Sequence, residues 1–393
     1  MMADKLDRIY VKYGDRSVGT IAETKDGRLA FAYSEEWLDT GFAISPFSLP
    51  VKKGVFLPNK QAYAGMHGVF ADSLPGNWGT ILLKRYMQRN GYDADKFNIL
   101  ERLAMVGQNG IGALSFEPRA DFNMQIPVSK YDDLAEESIK ILTSKSLDLE
   151  KLDELFVLGS VTGGDRPKIF TCNAGIHRIV KFPSNFDATN IGEMEYDYAQ
   201  CAISCGVNMP EVKLFPSDNG GGYFAIRRFD RETIAGEEKK NHTLTAAAIL
   251  EIDSRVPCLD YNNLMKVTRI LTDRRSDIEN LYTRMCFNVY AHNYDDNARN
   301  FSFIYDEKRD AWRLAPAYDL TYCFTSFGEH FTTVDGAGRD IVMDDLVSVG
   351  VKAGMENRKC VQIAKEVRHC VNEMLWKYLE HKPTRINYYS MSY

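Results

Sequence analysis

Between residues 8 and 34 apolar and polar positions alternate in RIYVKYGDRSVGTIAETKDGRLAFAYS, with breaks at Gly14-Asp15 and Asp26-Gly27. A period of two interrupted by such turns predicts a small antiparallel meander, and the Asp-Gly pair predicts its second hairpin. The pattern turns helical in FADSLPGNWGTILLKRYMQRNG, where the run from Trp78 to Met87 is a helix with Asp72 or Ser73 as its cap. Residues 97 to 118 predict a helix ending near Gly107, then a glycine-rich turn and a strand; Asp121 to Val128 is a connector. From 131 the chain reads as the helix YDDLAEESIKIL, a loop, and a second short helical run leading into FVLGSVTGGDRPKIFTC. Strands are expected at 168–172, 176–182 and 223–228, with a helix at about 191–205 that starts on an Asn190/Glu193 variant of the capping box. Met194, Tyr198, Cys201 and Cys205 fall near one face of it. After 241 helical periodicity dominates, at 243–252, 261–272, 276–291 and 360–379. A strand-rich half followed by a helical half predicts an α+β, two-lobed body with a cleft between the lobes.

The chain has 393 residues, enough for two or three subdomains. Its 45% hydrophobic and 26% charged content is that of ordinary folded proteins. A net charge of -6 argues against a domain built mainly to neutralise nucleic-acid phosphates. The eight cysteines form no CxxC pair and no zinc spacing, which points to a reducing cytosol. The start MMADKLDRIYV has no apolar signal stretch, and no run of 18 apolar residues predicts a membrane span. The expected location is cytoplasmic.

Candidate chemistry concentrates in AHNYDDNARNFSF, residues 291 to 303. Asp295 and Asn300 have the D-x-x-x-x-N spacing of a phosphoryl-transfer loop, in which a carboxylate orients the attacking hydroxyl and an amide oxygen holds a metal on the phosphates. Polar loop residues more commonly close turns, so the spacing gains force only from companions. One is Asp319 in WRLAPAYDLTYCF, a hard oxygen ligand suited to Mg2+ beside Asn300, or else a turn residue after Pro316. Another is GSVTGGDRPK, where Gly159, Gly163 and Gly164 permit backbone N–H groups to approach phosphate, although it is neither GxGxxG nor a Walker A sequence. Lys181 in HRIVKFPS sits among apolar strand positions, where a charge needs a partner. Glu195 on the following helix can supply one, and an edge-strand lysine reaching to water is the bland alternative. In YFAIRRFDRE, Phe229 can cover a nucleobase, while Arg228, Asp230 and Arg231 read as a solvated ion-pair cluster. The seven histidines show no metal spacing, and no GxSxG supports a hydrolase.

Taken together, ADSLPGNWGTILL, GSVTGGDRPK, IVKFPS, RRFDR, DDNARNFSF and LAPAYDLT resemble, in order and approximate spacing, the HipA family of serine/threonine kinase toxins from bacterial toxin–antitoxin modules. The resemblance covers most of the chain. It implies a protein-kinase-like fold with an added β-rich N-terminal subdomain (residues 1–122), an N-lobe-like core with a glycine-rich loop (123–240) and an all-helical C-terminal lobe (241–393). It further implies ATP and Mg2+ as ligands and transfer of the γ-phosphoryl group to a protein serine, causing growth arrest and persistence. The implied target is translation-related, such as an aminoacyl-tRNA synthetase. The implied partner is a helix-turn-helix antitoxin similar to HipB, through which DNA is met only indirectly.

Residue by residue, the resemblance makes Asp295 the catalytic aspartate, Asn300 and Asp319 the metal ligands, and Lys181 the phosphate-contacting lysine. Phe229 falls at the adenine contact, Lys168 closes the loop formed by Ser160, Val161, Thr162, Gly163 and Gly164, and Ser160 matches the autophosphorylated serine. The family pattern N-x-D-D-H-x-K-N-F-S-F is broken here, with Asn297 for the histidine and Arg299 for the lysine. Arg299 keeps a charge able to clamp phosphate but is not geometrically equivalent to lysine. Two alternatives stay open: a weakly active kinase-like protein acting as a co-repressor with the antitoxin, and a small-molecule kinase.

Overall fold

The structure is a computed structural model that describes residues 5–380 apart from 60–62, 121–128, 144, 146, 324, 326 and 327. The connector expected at Asp121–Val128 and His381 lie outside the described residues. The chain forms two compact units of mixed α/β structure. One comprises the residues up to Thr189 with Phe215–Leu244 and Ala248–Ile252, the other Asn190–Leu214, Thr245–Ala247 and the residues from Asp253 onward.

In the first unit the predicted meander is present as Arg8–Tyr13, Arg16–Glu23 and Leu29–Tyr33. Leu114–Glu117 pairs antiparallel with the first of these strands. Gly27, at φ +79°, makes the Asp-Gly turn, a backbone state that costs a residue without Cβ nothing. Ile9 and Val11 are fully buried while Arg8 and Tyr10 are exposed, so the alternation in the sequence is the alternation of the two sheet faces.

The long helix of this unit is Asn77–Arg89, and its N-cap is Gly76 rather than Asp72 or Ser73. Those two residues instead follow a separate short helix, Gly68–Ala71, because Leu74-Pro75 breaks the chain between them and the long helix. Trp78, Leu82, Leu83 and Met87 pack with Leu152, Leu155 and Phe156 of the helix Leu149–Gly159, and with Ile169, Val180 and Ala225 of a sheet. Residues before 122 and after 128 thus share one core. In that sheet Lys168–Asn173, Ile176–Lys181 and Tyr223–Arg227 lie side by side in this order, all antiparallel.

The second unit contains Ile191–Ser204, Tyr261–Thr272, Arg275–Tyr290, Met343–Lys352 and Asn357–Leu379. Asn190 is the N-cap of the first of these helices, but its side chain makes no capping bond, so the expected box does not form. The helix expected at 243–252 is shorter: Thr243–Thr245 is a strand and only Ala246–Leu250 is helical, since the β-branched threonines favour extended backbone. This part of the chain is not all-helical either. Ser302–Asp306 and Ala311–Leu314 form an antiparallel hairpin, and Leu259–Asp260 pairs in parallel with Thr332–Thr333. The hairpin follows the alternation in SFIYD and AWRL around a charged turn, and it carries the candidate loops at its two ends. Among the described residues no helix is long and apolar enough to cross a membrane.

Candidate active site

The polar loop begins where the helix Arg275–Tyr290 ends. Ala291 caps that helix, and His292 at φ +54° turns the chain away. Asn297 then starts a 3-10 turn, Ala298–Asn300, its side-chain oxygen accepting from the Arg299 N–H at 2.9 Å. The same side chain donates through Nδ2 to Asp295 Oδ1 at 2.7 Å. Asn300 donates through Nδ2 to the carbonyl of Asp295 at 2.7 Å. Asp295 and Asn300 are therefore neighbours across a closed turn, both half-buried. Asn297, the departure noted in the sequence, occupies the middle of this turn and binds both ends of it.

The neighbouring Asp296 points inward and is buried with a full set of donors. Its carboxylate accepts from Tyr261 Oη at 2.9 Å, His330 Nδ1 at 3.0 Å and the Thr332 N–H at 3.1 Å. Burial, and then the nearby Asp296 charge, push the Tyr261 hydroxyl far above the usual phenol range, so it stays a donor. Tyr261 in turn accepts from Asn288, which accepts from Asn293 at 3.0 Å. Asn293 also reaches the carbonyl of Asp319 at 3.4 Å. One buried chain of hydrogen bonds thus links both aspartate loops, with Asn293 Oδ1 left without a partner among the described residues.

Asp319 itself is half-buried at φ +53°, a left-handed conformation that aspartate tolerates better than most side chains. The tyrosine before it locks this loop to the first: Tyr318 Oη donates to the Arg299 carbonyl at 2.6 Å and lies 2.6 Å from Ser302 Oγ. Beneath them Arg284 is buried, its guanidinium 4.4 Å from the Phe301 ring centre and bonded to the Asn300 carbonyl. Desolvation lowers the Arg284 pKa, while Tyr318, Tyr261, Asp319 and Asp296 oppose that shift. Sequence reasoning missed Arg284, Asp296 and the asparagines Asn288 and Asn293. The readable signal was Arg284 and Asn288, four apart on one face of the largely apolar second half of the helix, residues 281–290.

In the first unit the glycine-rich loop continues from the helix Leu149–Gly159, with Ser160 as the C-cap. Val161 and Thr162 are buried, so they contribute side chains to the interior and only backbone to the loop surface. Ser160 and Gly163 are half-buried, and Gly164 is exposed at φ +80°. The start of the helix Asn77–Arg89 lies against this loop. The Gly76 N–H donates to the Thr162 carbonyl at 2.9 Å, and the Trp78 indole N–H donates to the Lys168 carbonyl at 2.9 Å. A Cβ on Gly76 would stand 2.3 Å from the backbone N and O of Gly164, and one on Gly79 2.5 Å from the Ser160 carbonyl. The two motifs PGNWG and GSVTGG are therefore one assembly: the glycines of the first make room for the second. Gly76→Ala is expected to cost about 1–3 kcal/mol through overpacking and to displace the loop, read as a lower melting temperature and faster proteolysis between 160 and 167.

Lys168 is buried at the start of its strand and pairs in register with Lys181. Lys181 lies on the interior strand of the three described above, not on an edge strand, with its Nζ 5.6 Å from the Phe224 ring centre. Glu195 is buried on the helix Ile191–Ser204 of the second unit. Phe229 is half-buried, its carbonyl accepting from Asn241 Nδ2 at 3.1 Å. Its charged neighbours are not a solvated cluster. Arg228, Asp230 and Arg231 are all buried, with Arg228 Nη2 2.8 Å and Arg231 Nη1 2.9 Å from the same Asp230 oxygen. That oxygen also accepts the Gly112 N–H at 2.9 Å, and the two arginines bind the carbonyls of Gly110 and Gly112. Burial works against the Asp230 charge, but the two guanidiniums outweigh it and hold the pKa well below the carboxylate range. A cavity of about 190 Å³ beside the loop is lined by Val106, Asn109, Arg119, Phe156 and Ser160 among others.

Comparison with known proteins gives these observations a family. Residues 160–375 match the HipA-like C-terminal domain and residues 9–117 the HipA N-terminal domain. A protein of Sinorhizobium fredii named as a kinase, Y4dM, is 24% identical over 375 residues, spanning 90% of this chain and 87% of its own length. The HipA of Shewanella oneidensis MR-1, solved with HipB and operator DNA, has a similar fold, with a TM-score of 0.68 at 17% identity over 96% of this chain and 92% of its own. With both domains matched in order along most of its length, the chain belongs to the HipA-like kinase family.

Proposed function

We propose that this protein is an ATP-dependent serine/threonine protein kinase of the toxin type. The observation that carries the reading is the closed turn in which Asn297 binds the Asp295 carboxylate and Asn300 binds the Asp295 carbonyl. In this reading the target serine oxygen attacks the γ-phosphorus of ATP, its proton passes to Asp295, and the bond to the β-phosphate oxygen breaks to release ADP. A carboxylate held by Asn297, at fixed distance from an amide, meets the positional demand of such a step.

The donor set fits Mg2+. Asn300 has its nitrogen committed to Asp295 and so offers oxygen, and Asp319 offers a carboxylate, both hard ligands. The ion supplies neutralisation of phosphate charge when bound. Lys181 and Lys168 add cationic charge beside the loop of Ser160, Val161, Thr162, Gly163 and Gly164. Gly164 at positive φ fits a backbone concavity for phosphate. Phe229 would cover the adenine, and Arg299 would clamp phosphate where the family has lysine. The division into an N-terminal subdomain, an N-lobe and a C-lobe belongs to this proposal, as does a cytoplasmic location. So does a HipB-like antitoxin partner: the Shewanella relative is solved with HipB and operator DNA.

Phosphorylation of Ser160 would switch the enzyme off. It adds up to about two negative charges at the C-cap of a helix, where the dipole is already negative, beside a loop built for phosphate. Homogeneous Ser160 phosphoprotein is expected to lose ATP affinity by at least about ten-fold in calorimetry, as a charge repulsion above 1.4 kcal/mol requires. Mass spectrometry of lysate proteins after incubation with ATP and Mg2+ tests the activity itself and names the target. Phosphate appearing on a metabolite and on no protein would favour the small-molecule reading. Retention of the γ-phosphate, together with tighter operator binding by the antitoxin, would favour the co-repressor.

A further inference from the structure

A group of sulfur atoms lies in the second unit with no part in the chemistry above. Cys201 is on the helix Ile191–Ser204 and Cys205 immediately follows it, four residues apart and so on one face. Cys370 and Met374, also four apart, are on the helix Asn357–Leu379. The Sγ atoms of Cys201, Cys205 and Cys370 all lie within 4.8 Å of one another, and Cys370 Sγ is 3.7 Å from Met374 Sδ. The crossing is close: each of Cys201 and Cys370 has its Sγ within 3.9 Å of the other's backbone carbonyl.

We propose that Cys201, Cys205 and Cys370 form a binding site for a soft monovalent cation, copper(I), with Met374 as a thioether at its rim. Thiolate and thioether ligands select soft cations, whereas Mg2+ and Ca2+ require oxygen. Structural zinc takes four ligands from cysteine, histidine or carboxylate, and among the described residues no histidine or carboxylate joins the three sulfurs. Cys201 is buried, while Cys205 and Cys370 are half-buried and Met374 is exposed, which gives a route inward from solvent. As copper(I)–sulfur bonds form, the S–H protons pass to water and no electron changes hands. Because the ligands come from two helices, binding cross-links them and stabilises the unit.

The test is titration of the full, reduced chain with copper(I) under anaerobic conditions, in competition with bicinchoninate. One equivalent is expected to be retained and to raise the melting temperature. Cys370→Ser should lose that equivalent, Met374→Leu should weaken it without changing the stoichiometry, and the double variant of the exposed Cys172 and Cys258 to serine should keep it. If Cys370→Ser fails to fold by circular dichroism, Cys205→Ser reads the same loss. Retention by both Cys370→Ser and Cys205→Ser, loss in the Cys172/Cys258 double variant, no copper held against the chelator, or tighter binding of zinc(II) in a parallel titration would each overturn the proposal.

Discussion

Asp295→Asn is expected to slow phosphoryl transfer by about 10²- to 10⁴-fold while the fold and ATP binding persist. The change removes the proton acceptor at constant shape. It also replaces an oxygen that accepts from Asn297 Nδ2 at 2.7 Å, so the new amide must turn its own oxygen toward Asn297 and its nitrogen toward the substrate side. A donor then faces the hydroxyl that needs an acceptor. Single-turnover transfer from γ-labelled ATP measures the rate, and calorimetry with ATP separates binding from chemistry. Expression of the unaltered protein should arrest growth, and the variant should relieve that arrest. A variant as fast as the unaltered protein would remove Asp295 from the mechanism and with it the reading of the closed turn.

Asp230→Ala is expected to destabilise the first unit by about 3–5 kcal/mol, the usual cost of leaving buried charges unpaired. Two buried guanidiniums and the Gly112 N–H would lose their common acceptor. The turn at Gly110–Gly112, which the same arginines hold through its carbonyls, should open first. Denaturant unfolding reads the global loss, and hydrogen exchange at Gly112 reads the local one. The pH dependence has a definite sign. The Asp230 pKa is depressed in the folded state, so its stabilisation is complete above the unfolded carboxylate pKa of about 4 and fades as pH falls through the folded value. The gap between the unaltered protein and the variant should therefore be constant from pH 5 to 7 and shrink below pH 4.

These two residues mark what the sequence did and did not reveal. The meander, the Asp-Gly hairpin and the helices at 131–142 and 261–272 follow from local periodicity, and there the chain does what its pattern dictates. The D-x-x-x-x-N spacing is local too, so Asp295 and Asn300 could be singled out by inspection. Arg228, Asp230 and Arg231 looked solvated because three charges in four residues usually are. What buries them is a pair of carbonyls at Gly110 and Gly112, more than a hundred residues earlier, which no local pattern displays. Lys181 had the same ambiguity, resolved only by strands on both sides of it. Asn190 shows the converse failure: its spacing to Glu193 suits a capping box, yet its φ of -97° and ψ of 18° put the side chain out of reach of the helix amides.

The close fit of Gly76 and Gly79 against the glycine-rich loop has a bearing on modularity. The residues matching the HipA N-terminal domain end at 117 and those matching the C-terminal domain begin at 160, which invites cutting the chain between them. A fragment starting after 128 would keep every proposed catalytic group, yet it would lose the helix that satisfies the Thr162 carbonyl and the indole that caps Lys168. It would also bare the apolar face that Trp78, Leu82 and Met87 now cover. The glycine-rich loop is thus not the property of residues 160–375 alone: the helix Asn77–Arg89 forms its inner lining, and the two are expected to fold as one.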